Sequence, residues 1–165
     1  MNADFMRTAA YTPKLNQYSS YYKTFSNVLA IRTVTAEYLI AMKLRSGRKY
    51  KHDLSDVLGI LAEHEKRGEP ITAERIDTAV KNLYGGWDDI PKDARDYIRN
   101  VLQNGNYEQI YATIAAEERR TKDILIGFQQ DYPGVTNADN IDSIVKNLTA
   151  RQDSKASILE RLRKK

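Results

Sequence analysis

The sequence predicts a mainly α fold, a bundle of six to seven helices with a short strand or hairpin remnant at its N-terminal end. Apolar residues recur at helical spacing almost everywhere after residue 35. The prolines and six of the eight glycines fall between the resulting segments or at their ends. One run, VLAIRTV at 28–34, is instead rich in β-branched residues and reads as a strand.

Residues 1–27 lack regular patterning and contain Tyr11, Tyr18, Tyr21 and Tyr22 beside Pro13 and several serines. They are expected to pack on the body through these aromatics, although stacking on bases would use the same rings. A lone strand at 28–34 cannot satisfy its own backbone groups, so it needs a partner from residues 1–27 or from another polypeptide.

The first helix opens at Thr35, a good N-cap, with Glu37 in its first turn where the helix dipole favours an anion. Tyr38, Leu39 and Met42 form its apolar stripe, flanked by Ile40, Ala41 and Leu44, and Gly47 ends it. A second helix covers about 51–66, with Leu54, Val57, Leu58 and Leu61 on one face. Pro70 and Thr72 start a third, which turns Ile76, Ala79, Val80 and Leu83 inward and stops at Gly85-Gly86; Trp87 then reads as a buried anchor. Pro91 fits the first turn of a fourth, whose Ile98, Val101 and Leu102 face in before Gly105. Asn106 can cap a long fifth helix to about residue 131, carrying Tyr107, Ile110, Tyr111, Ile114, Ile124, Leu125 and Phe128. Its charged stretch at Glu117, Glu118, Arg119, Arg120 and Lys122 reads as an exposed face. Asn137 or Asp139 opens a sixth around Ile141, Ile144, Val145 and Leu148. A weak seventh at 154–163 has only Ile158, Leu159 and Leu162 to bury. Residues 1–150 are expected to form one helical domain and 151–165 a basic tail.

Length and composition narrow the function. With 165 residues, 41% of them hydrophobic, the chain can build a real core. No run approaches the roughly 18 apolar residues of a membrane span, and the N-terminus lacks the apolar stretch of a signal peptide. A cytoplasmic protein without a membrane partner is expected. The absence of cysteine excludes disulfides, thiolate metal sites and cysteine nucleophiles. His52 and His64 are too far apart to read as a metal pair, and no metal-binding set is assigned. The net charge of +4 resides entirely in residues 151–165, which hold six cations against two acids and leave 20 of each before them. The basic balance therefore describes a tail rather than a body-wide nucleic-acid surface.

The chemistry-bearing group lies at the first helix–helix junction. Lys43, Arg45, Arg48, Lys49 and Lys51 are five cations within nine positions. Asp53 and Asp56 follow, three apart and so neighbours on one helical face. Cations beside paired carboxylates suit a phosphate-handling site, where catalysis is mostly positioning and charge cancellation. The same residues also fit a simpler account. Asp53 can be an N-cap and Asp56 a first-turn anion, while cations at the end of the preceding helix compensate its dipole.

The segment EYLIAMKLRSGRKYKHDLSD resembles the C-terminal motifs of AbiEii-like nucleotidyltransferases, relatives of the polymerase-β-like fold. They have a helix with a Lys-Leu pair, a basic turn and an Arg/Lys-Asp-x-x-Asp segment. The likeness runs from ADFMRTAAYTPKL to AVKNLYGGW, about residues 1–87, and is loose beyond. It implies that Lys43 contacts nucleotide phosphate, with Arg45, Arg48 and Lys51 completing the anion site. It further implies that Asp53 acts near the metal-bound phosphates as a base, with Asp56 in support.

One departure follows. The family's Gly-Ser motif and its two metal-binding acids are missing; Ser46-Gly47 is in reverse order and in another place. The expectation is a C-terminal helical half that lacks the two-metal platform and is inactive alone. It would use Mg²⁺ and nucleotide only when an upstream catalytic half completes it. Two functions of other kinds stay open beside this one. One is a helical interaction module whose strand pairs with another polypeptide or a second copy, in a homo-oligomer or the toxin–antitoxin setting that the resemblance permits. The other is an RNA-binding module working through the basic tail and the cationic turn.

Overall fold

A computed structural model describes residues 17–163, with side chains as far as Ser154. Along it run β1 (Ser19–Phe25), β2 (Leu29–Val34), α1 (Ala36–Ser46), α2 (Asp53–Lys66), α3 (Ala73–Tyr84), α4 (Lys92–Asn104), α5 (Tyr107–Asp131) and α6 (Ile141–Arg163). The expected class, mainly α with a short N-terminal hairpin, is the observed one. Among the described residues no helix is long and apolar enough to cross a membrane. The expected packing of Tyr11 and Pro13 lies outside the described residues.

Internal contacts gather the chain into two compact units. The first holds the hairpin, α1, α3, α4 and α2 from Ile60 onward. The second holds residues 47–59 and everything from Asn106.

In the first unit β2 finds its partner within the chain. It pairs antiparallel with β1, from Ser19 opposite Val34 to Phe25 opposite Leu29. Ser26 and Asn27 make the turn, both at positive φ, and the Val28 amide closes it onto the Phe25 carbonyl at 3.0 Å. Left-handed geometry at two central residues is the hairpin turn whose twist matches that of the strands. At its base the hairpin is fastened to α1. The Thr35 amide donates to the Tyr18 carbonyl at 2.9 Å, and the Tyr18 ring stacks on Tyr38 with centroids 3.9 Å apart. The Tyr38 hydroxyl in turn accepts from Asn82 of α3 at 2.7 Å.

The inward face of α1 is rotated from the expected stripe. Tyr38, Ile40, Ala41 and Leu44 are buried, while Leu39 and Met42 are half-buried. Packing against α3 accompanies this face, with Ala41 fully buried in it. Thr35 precedes the helix as expected, and its carbonyl accepts from Tyr38 and Leu39. Its hydroxyl, however, is buried without a partner and does not cap. Glu37 pairs with Arg75 of α3 at 3.0 Å.

On α3 the expected face is the buried one: Ile76, Ala79, Val80 and Leu83. The Thr72 hydroxyl caps the Arg75 amide, and Gly85 at φ 77 ends the helix. Trp87 is half-buried, and its indole N–H donates to Asp77 at 2.8 Å. Ile90, Ala94, Ile98 and Val101 complete the core of this unit. Each full burial of such an aliphatic side chain favours folding by about 1.5–3 kcal/mol.

In the second unit α5 packs on α6. Asn106 takes the left-handed conformation before α5 but makes no side-chain cap, contrary to expectation. Asn137 and Asn140 bond reciprocally ahead of α6: the Asn137 carboxamide accepts from the Asn140 amide at 3.0 Å and the reverse bond is 2.8 Å. The sixth and seventh expected helices are one, α6, because no glycine or proline occurs between its ends. The expected burial of Ile158, Leu159 and Leu162 lies outside the described side chains.

Candidate functional site

The cationic turn runs from Gly47, at φ 49, to the start of α2. Arg48 folds back over it. Its guanidinium donates to both carboxylate oxygens of Asp53, from Nε to Oδ2 at 2.8 Å and from the second terminal nitrogen to Oδ1 at 3.2 Å. The Arg48 amide adds a third bond to Oδ2 at 3.3 Å. Asp53 is 1% exposed and the Arg48 side chain 22%, so this is a partly buried fork-to-fork ion pair between residues five positions apart. Such a pair fixes the turn, because removing Arg48 strands the Asp53 charge away from water.

A second carboxylate meets the same helix end. Glu118 of α5 is 4% exposed. It accepts from the Leu54 amide at 2.9 Å, from the Ser55 hydroxyl at 2.5 Å and from the Ser55 amide at 3.4 Å. His52 Nδ1 stands 3.6 Å from its Oε2 and 3.4 Å from the Ser55 hydroxyl. Orphan amides at a helix start are normally met by a residue just before them. Here the cap comes from a distant helix. Burial pushes the Glu118 carboxyl above its ordinary value, against the opposing pull of Ser55, the two amides and His52.

The reading of Glu118 as part of an exposed charged face is therefore corrected. It follows Ile114 by four residues and precedes Leu125 by seven, so it lies on the apolar seam of α5, as does buried Thr121. That register was the signal available in the sequence. His52 keeps an exposed ring edge yet belongs to this cluster, and Ser55 is buried in it.

The residues assigned to phosphate handling fall in both units. Lys43 and Arg45 lie near the end of α1 in the first. The Arg45 guanidinium sits 4.7 Å from the Tyr84 ring centroid and 3.9 Å from Asp89. Arg48, Lys51, Asp53 and Asp56 lie in the second, with Lys51 exposed on the turn and Asp56 half-buried in the first turn of α2. Of these six, the structure brings Arg48 and Asp53 into direct contact. Comparison with models of known protein families, with curated proteins and with solved structures finds no match for the chain.

Among the described residues no group of three or more His, Asp or Glu side chains is placed to hold a metal ion. The second unit also has an open groove of about 760 Å³ along α5 and α6, lined by Ile124, Phe128, Tyr132 and Leu148 with Arg119 and Asp131. None of the six assigned residues lines it.

The other exposed feature is the hairpin. Tyr21, Tyr22, Phe25, Val28 and Leu29 are all exposed, Val28 by 90%. They lie on a hairpin that, among the described residues, forms a two-stranded sheet, with Val28 in its turn.

Proposed function

We propose that the chain is a helical docking half, which completes a β-sheet supplied by another polypeptide and lends a cationic turn to a phosphate-handling site on that assembly. The observation that supports this is the hairpin. A two-stranded antiparallel sheet is marginal in water, and its outer edges offer unpaired amides and carbonyls. Five large apolar side chains presented to solvent on such an element are what a covered interface looks like before it is covered.

The resemblance to AbiEii-like nucleotidyltransferases supplies the chemical setting. The partner segment would carry the carboxylates that hold Mg²⁺, and this chain would contribute phosphate contacts from the turn, from Arg48 and Lys51. Asp53, paired to Arg48, acts in this reading by shaping the turn; Asp56 stays in support. Alone the chain binds nucleotide weakly and does not turn it over.

Titration of the ¹⁵N-labelled protein with Mg·ATP and with pyrophosphate tests the phosphate part. Shifts are expected on the amides of residues 48–56 at millimolar ligand, and Lys51→Ala should abolish them at an unchanged Tm. A silent titration would leave docking as the whole of the proposal.

A further inference from the structure

We infer that a second copy of this chain docks in the groove along α5 and α6, with the two α5 helices antiparallel. Every residue that forms this surface belongs to the second unit, so its use does not depend on the hairpin.

One stripe of α5 faces the groove: Arg120, Asp123, Gly127 and Asp131 recur at steps of three and four, with Ile124 and Phe128 beside them. Its charges reverse from one end to the other. Arg119 and Arg120 stand at one end, and Asp131 closes the other, eleven positions or about 16 Å from Arg120. The last turn of α5 holds no cation, although the helix dipole favours one there. With a two-fold axis between residues 125 and 126, Arg120 of each copy comes level with Asp131 of the other. Both C-terminal ends of α5 then gain the cation they lack. Arg120 donates from one terminal nitrogen to Asp153 of α6 at 2.7 Å, and a guanidinium has donors enough for a second carboxylate. Arg119 comes level with the exposed Tyr132 ring, an attractive pairing of a guanidinium with an aromatic face. Asp123 follows Arg119 by four positions and neighbours it on its own helix.

Shape agrees with charge in this register. Gly127 lies inside α5, where glycine is less favourable than alanine. Among the described residues nothing stands within 4 Å of the place its Cβ would take, so packing within the chain gives no reason for it. Gly59 of α2 differs, since the Tyr111 ring lies 3.7 Å from its Cβ position. The same two-fold axis sets Ile124 of each copy level with Gly127 of the other, an aliphatic side chain over an open notch. The occupant follows from the balance of the stripe. Arg119 and Arg120 against Asp123 and Asp131 make it neutral, so it favours neither a polyanion nor a strongly basic partner. A parallel copy would set Arg120 on Arg120 and Asp131 on Asp131, and like charges brought together across an interface cost affinity. Antiparallel, the face is its own complement, which is what a two-fold dimer requires.

Sedimentation of the full-length protein from micromolar to millimolar concentration should show a monomer–dimer equilibrium. Each charge pair occurs twice in the dimer, so Arg120→Asp or Asp131→Arg alone should weaken association about tenfold. Mixed in equal amounts, the two variants should associate again, because every pair across the mixed dimer is opposite in sign. A folding defect in either variant could not produce that recovery. Gly127→Leu fills the notch without meeting another side chain of the chain, so it should weaken the dimer at an unchanged or higher Tm. A monomer at every concentration, a dimer indifferent to both reversals, or a mixture that stays monomeric would each overturn the inference. None of these outcomes bears on the hairpin.

Discussion

The Glu118 carboxylate holds the Leu54 amide at 2.9 Å, a helix cap delivered by a side chain 64 positions away in the chain. It ties α2 to α5 within the second unit through a buried charge rather than through apolar contact alone. Glu118→Ala would leave two amides and a hydroxyl without their acceptor in a site closed to water. The expected loss is about 2–4 kcal/mol of stability, since an orphaned buried donor costs about 1–3 kcal/mol. Glu118→Gln, which keeps one acceptor oxygen, should lose less. Urea unfolding of the three proteins checks the order.

The same carboxylate gives the protein a pH dependence of definite sign. Because burial raises its titration point, the folded state holds the Glu118 proton more tightly than the unfolded chain does. Its contribution to stability is therefore greatest below the ordinary carboxylate range and falls as pH rises through the folded value. Glu74, bonded to its own backbone and to Thr72, and Asp77, bonded to Lys81 and Trp87, are shifted downward and work in the opposite direction. Subtracting the Glu118→Gln profile from that of the wild type isolates the Glu118 share. The difference should shift against the wild type as pH rises above the ordinary carboxylate range, and a difference moving the other way would refute the assignment.

Arg48 and Asp53 make a separate prediction. Arg48→Ala withdraws a bidentate guanidinium from a carboxylate that is 1% exposed, and breaking a buried pair costs about 3–5 kcal/mol. Arg48→Lys keeps the charge but loses the fork, so it should recover only part of this. Pairing Arg48→Met with Asp53→Leu should recover more than Arg48→Lys, because no buried carboxylate is then left without its partner. Thermal unfolding of the series decides whether the pair is the staple of the turn.

These contacts also mark where sequence reading stops. The helices were legible because their stripes and stops are local: Ile76, Ala79, Val80 and Leu83 repeat at helical spacing, and Gly85 ends them. Asp53 was legible as a residue that matters, whereas its bond to Arg48 depends on how the Gly47 turn folds back. Glu118 looked like one charge in a charged run, since nothing nearby in the chain shows that the first turn of α2 will sit on it. The rotation of α1 is of the same kind. Either Leu39 or Ile40 could be its inward edge, and the packing of α3 settled which.

The stack of Tyr18 on Tyr38 is the next contact to test. With centroids at 3.9 Å and planes 13° apart it fastens the start of β1 to α1. Tyr18→Ala should weaken the hairpin by roughly 0.5–1.5 kcal/mol, the usual range for an aromatic pair. Hydrogen exchange should quicken in β1 and β2 while the amides of α3 and α4 keep their protection. Equal loosening throughout the first unit would mean that the stack is part of the core rather than the anchor of a separable element.

The hairpin turn allows the docking proposal to be tested through preorganisation. Ser26 and Asn27 both have positive φ, at 50° and 55°. Asparagine tolerates that region, serine does so less readily, and the pair Asn-Gly suits this turn best. Ser26→Asn with Asn27→Gly should therefore stabilise the hairpin without adding a contact to any partner. If the hairpin docks as a strand pair, a firmer turn lowers the ordering cost of association. A peptide selected for binding to the hairpin should then bind a few-fold more tightly, chiefly through slower dissociation. If the partner instead pulls the hairpin open, as a segment replacing β1 would, the same substitutions should weaken binding. The sign of the change separates addition to the sheet from exchange within it.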